Sequence, residues 1–219
     1  LDTDNSVDVV ATGLRLVAGV GIATATNHLE TTVSTLSARA TSGGIYLSET
    51  NALTIGDVAV TVQKVGVDAG VTPTTDATQS DLRTTSGNGA IVLVTGGDLT
   101  LNDGTAPTDT TSISAHGTGN VLVSTTGNIT VNADVISGMG HITILATATV
   151  TQNADLTTAG TGTINLEANA YTGALTADIT AGSGDIRVLS ATDIVPVSYT
   201  HLRAHETDSY LVCRLLLEK

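Results

Sequence analysis

Gly138-Met139-Gly140-His141-Ile142-Thr143-Ile144 is the stretch whose reading decides the fold of this chain. The same pattern, Gly-x-Gly-x-Ile/Val-x-aliphatic, recurs at Gly87 to Leu93, Gly117 to Val123, Gly160 to Leu166 and Gly182 to Val188. Copies return about every 22 residues, a period typical of solenoid coils. Side chains alternate along an extended backbone, so Ile142 and Ile144 share one face of a strand and Thr143 takes the other. A second strand is expected eight residues after the first apolar position, at Leu53, Leu99, Ile129, Val150 and Ile194. After Ile164 that strand is expected late, at Leu175. A third apolar position follows in Ala133-Asp134-Val135, Ala154-Asp155-Leu156, Ala177-Asp178-Ile179 and Gly56-Asp57-Val58.

Three short strands per circuit, joined by turns, predict an all-β, right-handed parallel β-helix, a β-solenoid with three short strands per coil. Helix is disfavoured, because the apolar segments are β-branched and bounded by glycine pairs. One coil cannot bury enough apolar surface to offset its ordering, so stability must come from stacking. A segment with uncovered ends is expected to fray or aggregate when produced alone. Residues 1–196 are expected to form this solenoid, with irregular insertions near 65–86, which holds Pro73, and near 104–116. Such insertions project as surface loops, either the seat of recognition or tolerated loops with no partner.

The final residues, 197–219, read VSYTHLRAHETDSYLVCRLLLEK. This string resembles one reading frame of a transposase-type sequencing adapter, and such a tail is set aside before fold reasoning. The only cysteine, Cys213, goes with it, as do Tyr199, Tyr210 and the spaced pair His201 and His205. The chain opens at Leu1, without a start methionine or signal-peptide pattern, and is expected to be an internal piece of a longer reading frame.

The chain has 8 Lys and Arg against 21 Asp and Glu, a net charge of -13. Outside the tail the basic residues are Arg15, Arg39, Lys64, Arg83 and Arg187. Nucleic acid and anionic membranes are therefore poor partners. No apolar run is long enough to span a bilayer as a helix.

Gly119-Asn120-Val121-Leu122-Val123, followed by Gly127-Asn128-Ile129-Thr130-Val131 and the later copies, resembles the repetitive β-helical regions of filamentous-haemagglutinin-type bacterial exoproteins. The blocks Leu14-Arg15-Leu16-Val17-Ala18-Gly19, Gly43-Gly44-Ile45-Tyr46-Leu47 and Asn51-Ala52-Leu53-Thr54-Ile55-Gly56 are similar to repeat units of giant surface proteins. The resemblance implies export, a secreted or cell-surface location, and a role in adhesion, biofilm or cell contact. It implies a host, cell-surface or polysaccharide ligand. No catalytic residue is expected, because no cluster of acidic residues stands out from the repeat.

Asp134, Asp155 and Asp178 occupy equivalent places in successive coils. Such a carboxylate ladder could hold Ca²⁺, which takes oxygen ligands. The spacing is not the nonapeptide calcium repeat, and Asp also favours turns for local hydrogen-bonding reasons. Apart from that ion, no cofactor is expected. The Gly-x-Gly strings are followed by strands rather than helices, so they are not phosphate loops. His28, His116 and His141 are dispersed. A β-helical carbohydrate-active enzyme, either lyase or hydrolase, is the alternative. It would need paired carboxylates, in a groove walled by the two insertions. The chain contains no Trp or Phe to stack on sugar rings.

Overall fold

The computed structural model describes residues 6–196, and these form an all-β, right-handed parallel β-helix. The tail 197–219, with His201, His205 and Cys213, lies outside the described residues. The chain opens with two long strands, β1 (Val9–Ala18) and β2 (Leu29–Ala40). The next coil holds β3 (Ile45–Glu49), β4 (Leu53–Ile55), an excursion of β5 (Thr61–Val65) and β6 (Val71–Thr75), and then β7 (Leu82–Thr84). Two further coils are β8 (Ile91–Thr95), β9 (Leu99–Leu101) and β10 (Thr111–Ala115), then β11 (Val121–Thr125), β12 (Ile129–Val131) and β13 (Asp134–Ser137). Next come β14 (Ile142–Ala146), β15 (Thr149–Gln152) and β16 (Leu156–Thr158), followed by β17 (Ile164–Ala168), β18 (Ala170–Gly173) and β19 (Ile179–Ala181). The last described pair is β20 (Ile186–Ser190) and β21 (Ile194–Pro196).

Every strand of the stack pairs in parallel with its equivalent one coil away. The first face runs Ile45, Ile91, Val121, Ile142, Ile164, Ile186 in direct register. The second runs Leu53, Leu99, Ile129, Val150, Tyr171, Ile194. The third runs Ala38, Leu82, Ile113, Val135, Leu156, Ile179. Inward residues fill one continuous apolar core, with Leu36, Ile45, Leu82, Leu93, Ile113 and Ile144 all 0 % exposed. Alternation places the Thr-rich positions outside, as the strand period requires.

The Gly-x-Gly pairs have a steric cause. Their second glycines stack at one corner. A Cβ on Gly119 would run into the carbonyl oxygen of Gly89, one on Gly140 into that of Gly119, and one on Gly162 into that of Gly140. Buried hydroxyls at the end of the third face bind these carbonyls: Ser137 Oγ donates to Gly119 O at 2.7 Å and Thr158 Oγ1 to Gly140 O at 2.6 Å. An inward Ser or Thr there satisfies backbone that water cannot reach.

Four features depart from the sequence expectation. The coil of β2 is one long strand that bends through all three faces, pairing successively with β3, β4 and β7. Lacking a turn at that corner, it leaves the Val33 N–H inside, and buried Glu49 answers it at 3.0 Å while also accepting from Thr31 Oγ1 at 2.7 Å. After Ile164 the second strand is not delayed to Leu175, which is 57 % exposed. Tyr171 takes the core position instead, donating its hydroxyl to Gln152 Oε1 at 2.7 Å. Gly56-Asp57-Val58 does not supply a third strand, because the chain leaves the coil there: Val58 forms an antiparallel bridge with Gln79, and Leu82 occupies the third face. Both insertions end before their coils' third strands. The first is the exposed antiparallel hairpin β5–β6, and the second closes before Thr111.

Gly162→Ala is expected to lower stability by at least ~2 kcal/mol, since its methyl would strike backbone of the neighbouring coil. Gly56→Ala, whose methyl would approach nothing closer than 3.8 Å, is expected to change stability by less than ~1 kcal/mol. Chemical unfolding midpoints check this, and equal midpoints for the two variants would contradict close stacking at that corner.

Candidate functional site

The third strands begin with the Asp column. Asp134 Oδ1 accepts the backbone N–H of Asp155 at 3.0 Å, and Asp155 Oδ1 accepts that of Asp178 at 2.8 Å. Thr110 Oγ1 donates to Asp134 Oδ2 at 2.6 Å. The three candidate metal ligands thus stand in register as a ladder, with the carboxylates of Asp134 and Asp155 engaged by backbone one coil on. Among the described residues no three His, Cys, Asp or Glu side chains converge as a metal group. Parallel ladders occur elsewhere: Asn132 Nδ2 donates to Asn102 Oδ1 at 2.9 Å, and Asn153 Nδ2 to Asn132 Oδ1 at 2.8 Å.

The register adds a fourth aspartate to the column. Asp81 precedes Leu82 as Asp134 precedes Val135, but the hairpin hides this equivalence in the sequence. Asp81 has a left-handed backbone (φ 69°), and its side chain is buried, with neither carboxylate oxygen hydrogen-bonded. It sits where the two insertions meet. Asp57 accepts from Thr105 N and Oγ1 at 2.8 and 2.9 Å, Ser80 N donates to Ala106 O at 2.9 Å, and Arg83 pairs with Asp109 at 2.7 Å. Burial pushes the Asp81 carboxyl up to about 7; Asp109 and Asp103 add to the rise, while Ser80 and Arg83 oppose it.

The other titratable groups lie apart. His28 is buried against Tyr46, with ring centroids 5.8 Å apart, and desolvation lowers its pKa. His116 Nδ1 contacts Gly87 O, and His141 Nδ1 accepts from Thr163 N at 3.1 Å. Burial raises the Tyr171 phenol to about 12. At the far end, hydrogen bonds from Asn165 and then Arg187 lower the pKa of Glu167. Two shallow depressions have linings that do not include Asp81. One, of about 490 Å³, is bordered by Thr125, Thr147, Glu167 and Leu189, and the other, of about 480 Å³, lies beside the hairpin between Gly13, Thr35, Val58 and Val62.

No family model matches the chain, and neither a curated protein nor a solved structure matches it.

The buried Asp81 gives a signed pH dependence. The folded chain holds its proton up to about 7, whereas an unperturbed carboxyl releases it near 3.8. Between these values the folded state binds more protons than the unfolded state, so this group makes stability fall as pH rises through that window, with no further loss above it. Asp81→Asn keeps the shape, tolerates the left-handed backbone and removes the charge. In thermal unfolding the variant is expected to lack this pH-dependent loss and to melt higher than the parent at about pH 8. Identical pH profiles for the two proteins would contradict the burial of an unpaired carboxyl.

Proposed function

We propose that this chain is a non-catalytic structural stalk segment of a large secreted or cell-surface bacterial adhesin. The observation that carries the reading is the unbroken stack: one cross-section repeats along one axis, with a continuous core and polar ladders running coil to coil. Such a rod holds its ends apart at a fixed distance and presents insertions along its flank. Its host, cell-surface or polysaccharide ligand would meet those insertions. The sequence resemblance supports export, and the solenoid supports a spacer role.

A β-helical carbohydrate-active enzyme is the second reading, and Asp81 favours it, because a carboxyl raised to about 7 lies in the range of a general acid. The same residue is 1 % exposed. A proton donor must reach its substrate within hydrogen-bond distance, so the stalk is the better reading. A Ca²⁺-stabilised surface rod, built on Asp134, Asp155 and Asp178, is the weaker third.

Immunogold labelling of producing cells, with antibodies raised against residues 6–196, is expected to decorate fibres outside the outer membrane. The purified chain is expected to release no product from neutral or uronate-rich polysaccharides. Label confined to the cytoplasm would contradict the adhesin reading, and product release abolished by Asp81→Asn would establish the enzyme instead.

A further inference from the structure

The five basic residues outside the tail look scattered in sequence, but the coil register gathers three of them on one outer face. Arg39 on β2 stands directly opposite Arg83 on β7, about 4.8 Å away across the ladder. Arg15 lies on β1, opposite Ser37, one strand further along the same face. All three point outward. Arg39 lies between Ala38 and Ala40, both 0 % exposed, and Arg83 lies between buried Leu82 and Thr84. Arg15 lies between Leu14 and Leu16, which pack on the core.

The outer two guanidiniums are answered by the insertions. Arg15 faces Asp76 of the hairpin at 3.6 Å, and Arg83 pairs with Asp109 of the second insertion at 2.7 Å. The middle one is not: among the described residues the remaining ion pair is Arg187 with Glu167, at the other end of the rod. The Arg39 Nε is buried and has no hydrogen-bond partner, and the Arg15 Nε is in the same condition. A buried donor left unpaired is costly, and two like charges directly opposite on neighbouring strands repel. One oxyanion over the terminal nitrogens of Arg39, which are not buried as Nε is, relieves the second penalty. The guanidinium fork matches a carboxylate, the group that already answers its two neighbours.

We propose that Arg39, flanked by Arg83 and Arg15, is a binding site for a single carboxylate-bearing sugar within an otherwise neutral glycan. A polyanion is disfavoured by the net charge of -13 and by Asp76 and Asp109 at the rim. An acidic peptide strand is disfavoured because β2 and β7 are paired on both sides, which leaves no backbone edge to extend. The surroundings suit sugar hydroxyls: Ser114 stands beside Arg83 in register, and exposed Thr41 and Thr85 follow β2 and β7 on the same face. The site stands whether the rod is a stalk or an enzyme, since occupancy is read at equilibrium and turnover separately.

The test is calorimetric titration of the full chain with three probes: a glucuronate-containing trisaccharide, its carboxyl-reduced counterpart, and an acidic peptide of equal charge. Saturable binding of the first alone is expected. Arg39→Gln and Arg39→Lys are each expected to weaken it about tenfold or more, since a charged hydrogen bond is lost or its fork geometry removed. Arg187→Gln is expected to leave it unchanged, and circular dichroism confirms that each variant is folded. No saturable binding, equal binding of the reduced sugar, preference for the peptide, or unchanged affinity in folded Arg39 variants would each overturn the proposal.

Discussion

The structure depends on one constraint: each coil must present the same cross-section to the next. Parallel strands leave their N–H and C=O groups pointing along the rod, so every coil completes its hydrogen bonds only through its neighbours. Ile91 N donates to Asn120 O at 2.8 Å, Val121 N to His141 O at 2.8 Å, and Ile142 N to Thr163 O at 2.9 Å. A change that displaces one coil therefore removes bonds from two. This explains why the glycine corner tolerates no side chain, and why the inward columns resume after both insertions, the second through a one-residue register shift between Thr111 and Ile113.

The same constraint disposes of polar groups. At several corners a polar side chain supplies the partner of a backbone group: Ser137 and Thr158 for the glycine carbonyls, Asp134 and Asp155 for amides of the following coil, and Glu49 where β2 has no turn. Asp134 and Asp155, which look like metal ligands in sequence, are therefore also capping residues in space. Asp81 is the exception. Its left-handed backbone turns it away from that duty, and the next coil is irregular at this point: Thr111 pairs with Asp134, and Ser112, at the register shift, donates to Ala133 O at 3.2 Å.

Much of this is legible from spacing alone. Ile45, Ile91, Val121, Ile142 and Ile164 face inward because period-two alternation and a fixed coil length leave them no other place. What spacing cannot show is any residue whose position depends on an insertion. Asp81 and Leu82 belong to the third face, but the hairpin between them and β4 breaks the count, and Gly56-Asp57-Val58 mimics the missing triplet at the hairpin base. Tyr171 escapes a pattern built on aliphatic positions because its hydroxyl marks it as polar, although burial of its ring is made possible by Gln152. The arginine face is invisible for a related reason. Arg15, Arg39 and Arg83 are far apart in sequence, and only the register, which the insertion obscures, brings Arg39 and Arg83 side by side.

The central claim is that register, and cysteine cross-linking reads it directly. With Cys213 replaced by serine, Thr143→Cys and Asn165→Cys should form a disulfide in mild oxidant, because these outward residues stand opposite each other on β14 and β17. Parallel neighbours at about 4.8 Å fall within the Cα separation that a disulfide requires. The pair Thr143→Cys and Glu167→Cys, two residues out of register, should remain reduced. Cross-linking of the second pair in preference to the first would contradict the stacked solenoid.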